Sequence, residues 1–409
     1  MEKLLPFILI FVFLVIIVGW LIRGVDKKRV SQLETQNDPS QLPFPRHISY
    51  PEHVLKPDHV SQEELDAAVR RAYGEWLPMF MLADYTPGRA FLRMGVDRRF
   101  LRYTVEATSV GQGYAMLISA LMGGDDLGAQ GRFDRLLTFC DAHPSSGQPY
   151  FMSWQVHPDM TVNKPMPSNT QGDMLIAYAL LMADKQWGSK GDYNYHSIAL
   201  KIIQALKAEC VHPQQQHLLS GNDVNGQDPE RWLSTPAVNA APLILNSFGK
   251  VSYDASWLAV KATMLDLLER IDNLPGTMIN TENPQAAGTY DSFEAEAAPL
   301  LLHLALASIL SEDDKAQALL LRMAGKLKAA SPTADFVSTY SLDGSPQSKD
   351  TSLSMLSGMA AAAMLMDDQD WLNLLWDKLK SAKIERMDPA GSTLRLMSLL
   401  LLSGNWLVI

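Results

Sequence analysis

Residues 168–182 read Ser-Asn-Thr-Gln-Gly-Asp-Met-Leu-Ile-Ala-Tyr-Ala-Leu-Leu-Met. From residue 174 to 182 the stretch is an apolar stripe of helical period, and the same signal recurs along the chain. Comparable stripes occupy residues 114–122, 196–206, 257–271, 294–310, 314–327, 351–366 and 394–402. Ser61 and Glu64 have the spacing of a capping box, and Leu65, Ala68, Val69, Ala72 and Trp76 follow at helical intervals, so a helix is expected there too. Turn-rich stretches such as 143–148 and 221–229 separate these segments, and no alternating β-branched run is long enough to seed a large sheet. The class is therefore mostly α. The body shows no second composition break, which favours one large domain. A closed ring of helix pairs and a solenoid of similar pairs fit the periodicity equally, although no short repeat supports the solenoid.

Charge and composition exclude several functions. Of 409 residues, 35 are Lys or Arg against 45 Asp or Glu, a formal net charge of −10 that argues against nucleic acid as the main partner. Hydrophobic residues at 47% with 20% charged predict a large packed core rather than disorder or a coiled coil. Two cysteines, Cys140 and Cys210, make no disulfide framework and have no zinc-ligand spacing; whether they pair is left open. His212 and His217 are too far apart for a helical metal pair and read as a loop. No Gly-rich phosphate loop precedes a helix and no Gly-x-Ser-x-Gly elbow occurs, so neither metal nor cofactor is expected.

The N-terminus carries a different signal. Residues 5–22, bounded by Leu5 and Ile22, are apolar and uncharged, roughly 27 Å of helix, enough to span a bilayer core. Arg23, Asp26, Lys27, Lys28 and Arg29 follow where a cleavable signal would have small residues, so an uncleaved anchor is expected. Pro39, Pro43, Pro45, Pro51 and Pro57 then suggest an extended spacer that lifts the body off the membrane. The expected organisation is anchor and basic flank at 1–30, spacer at 31–60 and one domain at 61–409. The basic residues after the anchor favour a cytoplasmic body by the positive-inside tally.

Three segments together resemble glycoside hydrolase family 8, the inverting endoglucanases that include the periplasmic cellulase of bacterial cellulose-synthesis operons. They are Thr108-Ser109-Val110-Gly111-Gln112-Gly113-Tyr114-Ala115-Met116, the stretch beginning at Ser168 quoted above, and Thr289-Tyr290-Asp291-Ser292. Weaker echoes are Trp154, Trp232 to Pro236, and Gly404-Asn405-Trp406. The resemblance implies an all-α fold, an (α/α)6 barrel with a sugar-binding groove across one end, here preceded by one transmembrane helix. It also implies that Trp154, Tyr114, Gln112, Asp173 and Tyr290 contact substrate.

Inverting hydrolysis needs a protonated carboxyl on the leaving oxygen and a carboxylate that activates water from the opposite face. At the family's acid position this chain has Val110, which can neither donate nor accept a proton, and at a second carboxylate position it has Gln171. Asp291 keeps the base position, though it is also placed to cap the helix that follows. A base without an acid loses about 10²–10⁴-fold in rate. Glu106 is the candidate substitute acid, but it precedes the helix that the motif opens and is expected to point elsewhere.

The expectation is a catalytically silent domain that binds a β-glucan-type polysaccharide as an accessory to exopolysaccharide synthesis or export, with a polysaccharide synthase complex as a candidate partner. An endoglucanase with a displaced acid and a protein-binding scaffold are the alternatives. Because such polymers lie outside the inner membrane, a periplasmic body on a single-pass anchor is preferred, with a cytoplasmic body second. Trp154 is the better candidate for a sugar platform, Trp187 reads as core, and Tyr114 fits core or groove equally.

Overall fold

The computed structural model describes residues 39–99, 102–158, 164–285 and 292–409. The expected anchor at 5–22 and its basic flank lie outside these residues. Among the described residues, no helix is long and apolar enough to cross a membrane.

Twelve helices of eleven residues or more make up the described body. In chain order they are α1 Gln62–Phe80, α2 Ser109–Leu121, α3 Ala129–Ala142, α4 Thr170–Trp187, α5 Tyr195–Glu209, α6 Pro242–Ser252, α7 Ser256–Glu269, α8 Pro299–Ser311, α9 Asp314–Ala330, α10 Leu353–Ala363, α11 Gln369–Ser381 and α12 Pro389–Leu402. The even-numbered helices form an inner ring, each touching the next, and α12 closes the ring on α2. The odd-numbered helices pack outside them, with α1 against α12. This closure decides between ring and solenoid, and yields the expected barrel of six helix pairs.

The two layers follow from sequence. Inner helices are apolar nearly all round: α8 is LLLHLALASI after its proline and is buried from Leu300 to Ile309. Outer helices are amphipathic; α11 buries Trp371, Leu372, Leu375, Trp376 and Leu379 and turns its lysines outward. Capping fixes the starts, including the expected capping box, in which Ser61 accepts from Glu64 N–H and the Glu64 carboxylate accepts from Ser61 N–H.

Connections divide the barrel into two unlike ends. Five of the six inner helices run into an outer helix through a short turn, such as 253–255 or 312–313. The returns at 81–108, 143–169, 210–241, 270–298 and 331–352 are long and carry every strand described. All of these loops arrive at the N-termini of inner helices, so one end of the barrel is elaborated into a mouth. Loops held by a rigid scaffold are where function concentrates.

The spacer expectation needs correction from residue 39 onward. Residues 39–60 form a strap across the other end of the barrel, where the inner helices finish. Gln41 N–H donates to Gln186 O at 2.8 Å, Phe44 to Gly123 O at 2.8 Å, Ile48 to Gly404 O at 2.8 Å and Leu55 to Met364 O at 2.7 Å. The Arg46 guanidinium donates to Leu121 O at 2.7 Å, Asn405 O at 3.0 Å and Ala120 O at 3.3 Å. Phe44 and Val54 are buried beneath the strap. Helix C-termini leave carbonyls without intrahelical partners and carry partial negative charge, and the strap supplies N–H groups and a cation to both. Proline kept this segment out of regular structure without keeping it from packing.

Candidate active site at the barrel mouth

The two motif helices begin side by side at the mouth. Thr108 caps α2 by accepting from Gly111 N–H at 3.1 Å, and Asn169 caps α4 by accepting from Gly172 N–H at 3.1 Å. Glycines let the helices close on one another. A Cβ on Gly172 would stand 2.2 Å from Ser109 Oγ, and one on Gly113 would stand 2.5 Å from Leu175 Cβ and 3.1 Å from Ile176 N.

Within α2 every residue is buried except Val110, and in the first two turns of α4 every residue is buried except Gln171. Val110 and Gln171, expected from the resemblance at the acid and second carboxylate positions, are therefore the two half-exposed residues on these helix starts. Met94, which carries no motif signal, packs on Gly111, where an added Cβ would meet its Cγ at 2.3 Å. Val110 itself is partly buried and packs against the hydrophobic core. The only hint of Met94 in the sequence is the glycine that makes room for it.

Trp154 is held between the two helix starts by its backbone. Its carbonyl accepts from Ser109 N–H at 3.1 Å, its N–H donates to Pro167 O at 2.9 Å, and strand Gln155–Val156 pairs with Ala107 and Thr108. Its side chain is 37% exposed, the most exposed tryptophan among the described residues. A rigid backbone under an open indole face suits stacking against a sugar ring. Trp187, by contrast, lies in the core edge-on to Phe133 at 5.6 Å, as expected.

Other expected contacts are corrected. Gln112 is fully buried, its carbonyl accepting from Leu92 N–H at 2.8 Å and its amide donating to Ala90 O and Leu136 O, each at 3.3 Å. It ties strand Ala90–Leu92 to α2 and α3 and does not reach the groove. Asp173 is 1% exposed and accepts from Met152 N–H at 3.4 Å. Burial holds its carboxyl well above the usual range, only partly offset by hydrogen bonds from Ser168 and Met152. Two residues beyond Gln171, it has rotated to the opposite face of α4. Tyr114 is buried, and burial raises its phenol; the Gln171 side chain beside its hydroxyl acts in the opposite sense.

Glu106 lies on strand Arg102–Thr108 opposite Gly95, where an added Cβ would meet its Oε2 at 2.8 Å. Its carboxyl thus lies over the neighbouring strand. Asp291 and Tyr290 lie outside the described residues. The next strand, Ser292–Glu294, pairs with Thr339–Ser341 at the mouth, and Ser292 Oγ donates to Glu294 Oε1 at 2.7 Å. On the same rim a cavity of about 450 Å³ is lined by Phe336, Ser352, Ser354, Lys378, Glu385 and Asp388. Burial, with Glu385 adding to it, raises the Asp388 carboxyl above its ordinary value. Among the described residues no group of His, Cys, Asp or Glu could hold a metal ion, and Cys140 and Cys210 are free and buried.

A twelve-helix barrel with a loop-built mouth and these two glycine-rich helix starts has known relatives. The family model for glycosyl hydrolases family 8 matches residues 99–401. The chain belongs to this family. It is 29% identical to an endoglucanase of Bacillus sp. (strain KSM-330), over 89% of this chain and 81% of that one. It is 26% identical to a beta-glucanase of Niallia circulans, over 89% and 91% of the two chains. Among solved structures, the beta-1,3-1,4-glucanase of Paenibacillus sp. X4 superposes with a TM-score of 0.81 at 25% identity, over 90% of this chain and 99% of that one. The described part of this mouth presents the exposed indole of Trp154 and the half-exposed side chains of Val110 and Gln171.

Proposed function

We propose that this family 8 protein binds a β-glucan-type polysaccharide in the mouth groove without hydrolysing it, as a membrane-anchored accessory to exopolysaccharide synthesis or export. The observation that carries the reading is Val110. It is the half-exposed residue of the first α2 turn, packed against the hydrophobic core, and it offers no proton at the position from which the family pattern protonates the leaving oxygen. Gln171 on the adjoining helix supports it, because an amide cannot supply the negative charge that favours an oxocarbenium-like transition state. The Trp154 platform needs no acid, so binding outlives catalysis. The anchor at 5–22, a periplasmic body and contact with a synthase complex belong to the same proposal.

The test measures cleavage and binding separately. The full chain releases no reducing ends from carboxymethylcellulose or mixed-linkage glucan above a buffer control, yet binds cello-oligosaccharide in calorimetry, and Trp154→Ala abolishes that binding. The pair Val110→Glu and Gln171→Asp restores some hydrolysis, with inversion. Clear turnover by the unaltered chain refutes the proposal. The names of the relatives, an endoglucanase and a beta-glucanase, favour a second reading, a working endo-β-1,4-glucanase with a displaced acid. Turnover abolished by Glu106→Gln would establish it. A fusion reporter after Ile409, active only outside the cytoplasm, tests the side of the membrane.

A further inference from the structure

A cavity of about 410 Å³ opens outside the ring of inner-helix starts. It is lined by Lys207 and Glu209 at the end of α5, His212 and Trp232 on the return that follows, and Ser256 at the start of α7. Both helices belong to the outer layer, and every lining residue lies on them or on the 210–241 return, so the cavity sits on the flank of the barrel. Its size is that of a small-molecule site, about 300–1,000 Å³.

The polar groups here are of both kinds. His212 Nδ1 accepts from the backbone N–H of Gln215 at 3.1 Å and of Gln214 at 3.3 Å, so in the neutral ring the proton sits on Nε2. That Nε2 is buried and has no acceptor among the described residues, although buried donors are nearly always paired. Glu209 supplies acceptors: one carboxylate oxygen takes the Gln148 amide, and a carboxylate has room for further donors. Lys207 is a second donor, its ammonium 5.2 Å from the centre of the Trp257 ring. Two aromatic rings accompany them. Trp232 is half-exposed, its ring 4.3 Å from that of His212 and its carbonyl held by His217 Nε2 at 3.0 Å. Tyr150, 51% exposed, donates its N–H to Gln148 Oε1 at 3.2 Å, and the same Gln148 side chain reaches Glu209.

An anion would meet Glu209 here and a cation would meet Lys207. A neutral ring of hydroxyls finds acceptors for its O–H groups, donors for its oxygens and an aromatic surface for its C–H face. Resting on the polysaccharide reading above, we infer that this flank is a second glycan site, which holds the polymer outside the groove. So small a patch binds weakly alone. Its effect appears when groove and flank hold one polymer, because the second contact is then intramolecular.

The experiment runs the full chain in native gels with and without dissolved mixed-linkage β-glucan, beside calorimetry with cellotetraose. Tyr150→Ala and Trp232→Ala leave the cellotetraose titration unchanged, because a short oligosaccharide fills the groove alone, and weaken binding to the polymer at least about tenfold. Trp154→Ala, silent toward cellotetraose, is still retarded by the polymer, and adding Tyr150→Ala to it removes that retardation. Tyr150→Ala keeps the test decisive if Trp232→Ala folds poorly, because its ring is exposed. Polymer binding unchanged by Tyr150→Ala overturns this inference and leaves the polysaccharide reading standing, as does a Trp154→Ala chain that the polymer no longer retards. A chain that binds neither cellotetraose nor polymer overturns both.

Discussion

Replacing Arg46 by alanine removes the cation that the strap places against the ends of inner helices. Three donor contacts disappear, to Leu121 O at 2.7 Å, Asn405 O at 3.0 Å and Ala120 O at 3.3 Å, while the Arg46 N–H bond to Asn405 Oδ1 at 2.8 Å remains. Burial lowers the guanidinium to about 10, so it stays charged at neutral pH, and its desolvation offsets part of what the contacts contribute. Charged hydrogen bonds contribute about 1.5–3 kcal/mol each, but they are not additive when one group makes all three. Their loss, with the favourable C-terminal dipole interaction, amounts to about 3 kcal/mol. Urea unfolding of Arg46→Ala should show a lower midpoint at unchanged slope. Arg46→Met, which keeps the stem, should lose nearly as much, and Arg46→Lys should recover less than half, because one ammonium cannot fork across separate carbonyls. A chain beginning at Ser61 loses more still, since Phe44 and Val54 go with the strap, each side chain worth about 1.5–3 kcal/mol of burial. If Arg46→Ala unfolds within about 0.5 kcal/mol of the parent, or the chain from Ser61 is as stable as the longer one, the strap is an ornament and the reasoning fails.

Glycine substitutions should split by layer. Gly113→Ala drives a methyl into Leu175 and the Ile176 backbone and costs about 1–3 kcal/mol or more, whereas Gly74→Ala on α1 and Gly325→Ala on α9 meet nothing within 4 Å and gain about 0.5–1 kcal/mol; thermal midpoints moving together would contradict the packing described. His303, buried on α8 with Nδ1 on Val238 O at 3.1 Å, is lowered by burial from 6.5 to about 4. The unfolded chain protonates first, so stability present above pH 6.5 is lost as pH falls toward 4, by about 3 kcal/mol, and His303→Asn should flatten that limb of a pH–stability profile. Asp173 has the opposite sign: its raised carboxyl contributes stability that is complete below pH 3.8 and lost as pH rises, so Asp173→Asn should be more stable than the parent at pH 7, with the gap closing by pH 4. Trp154→Ala should leave the thermal midpoint nearly unchanged, because the indole is partly exposed, and a large drop would reassign Trp154 to the core.

Helix positions and the motif helices were legible in the chain itself, because local order records itself locally. The apolar stripe at 174–182 marks α4, and the Ser61–Glu64 box marks the start of α1. The presence of Val110 and Gln171 at the starts of these helices is likewise a fact of sequence alone. What the chain order could not decide was which way a polar residue in a motif turns. Gln112 and Asp173 look like groove residues beside Val110 and Gln171, yet each stands two positions along its helix, about 200° around it, and tertiary neighbours bury them. Ring closure was equally hidden, since a helix pair has the same period in a ring and in a solenoid; only the contact of α12 with α2 separates them. The strap was hidden for the same physical reason. Its hydrogen bonds join residues 39–60 to carbonyls at 120–123, 186, 364 and 401–405, and partners so distant leave no periodicity in the segment that reaches them.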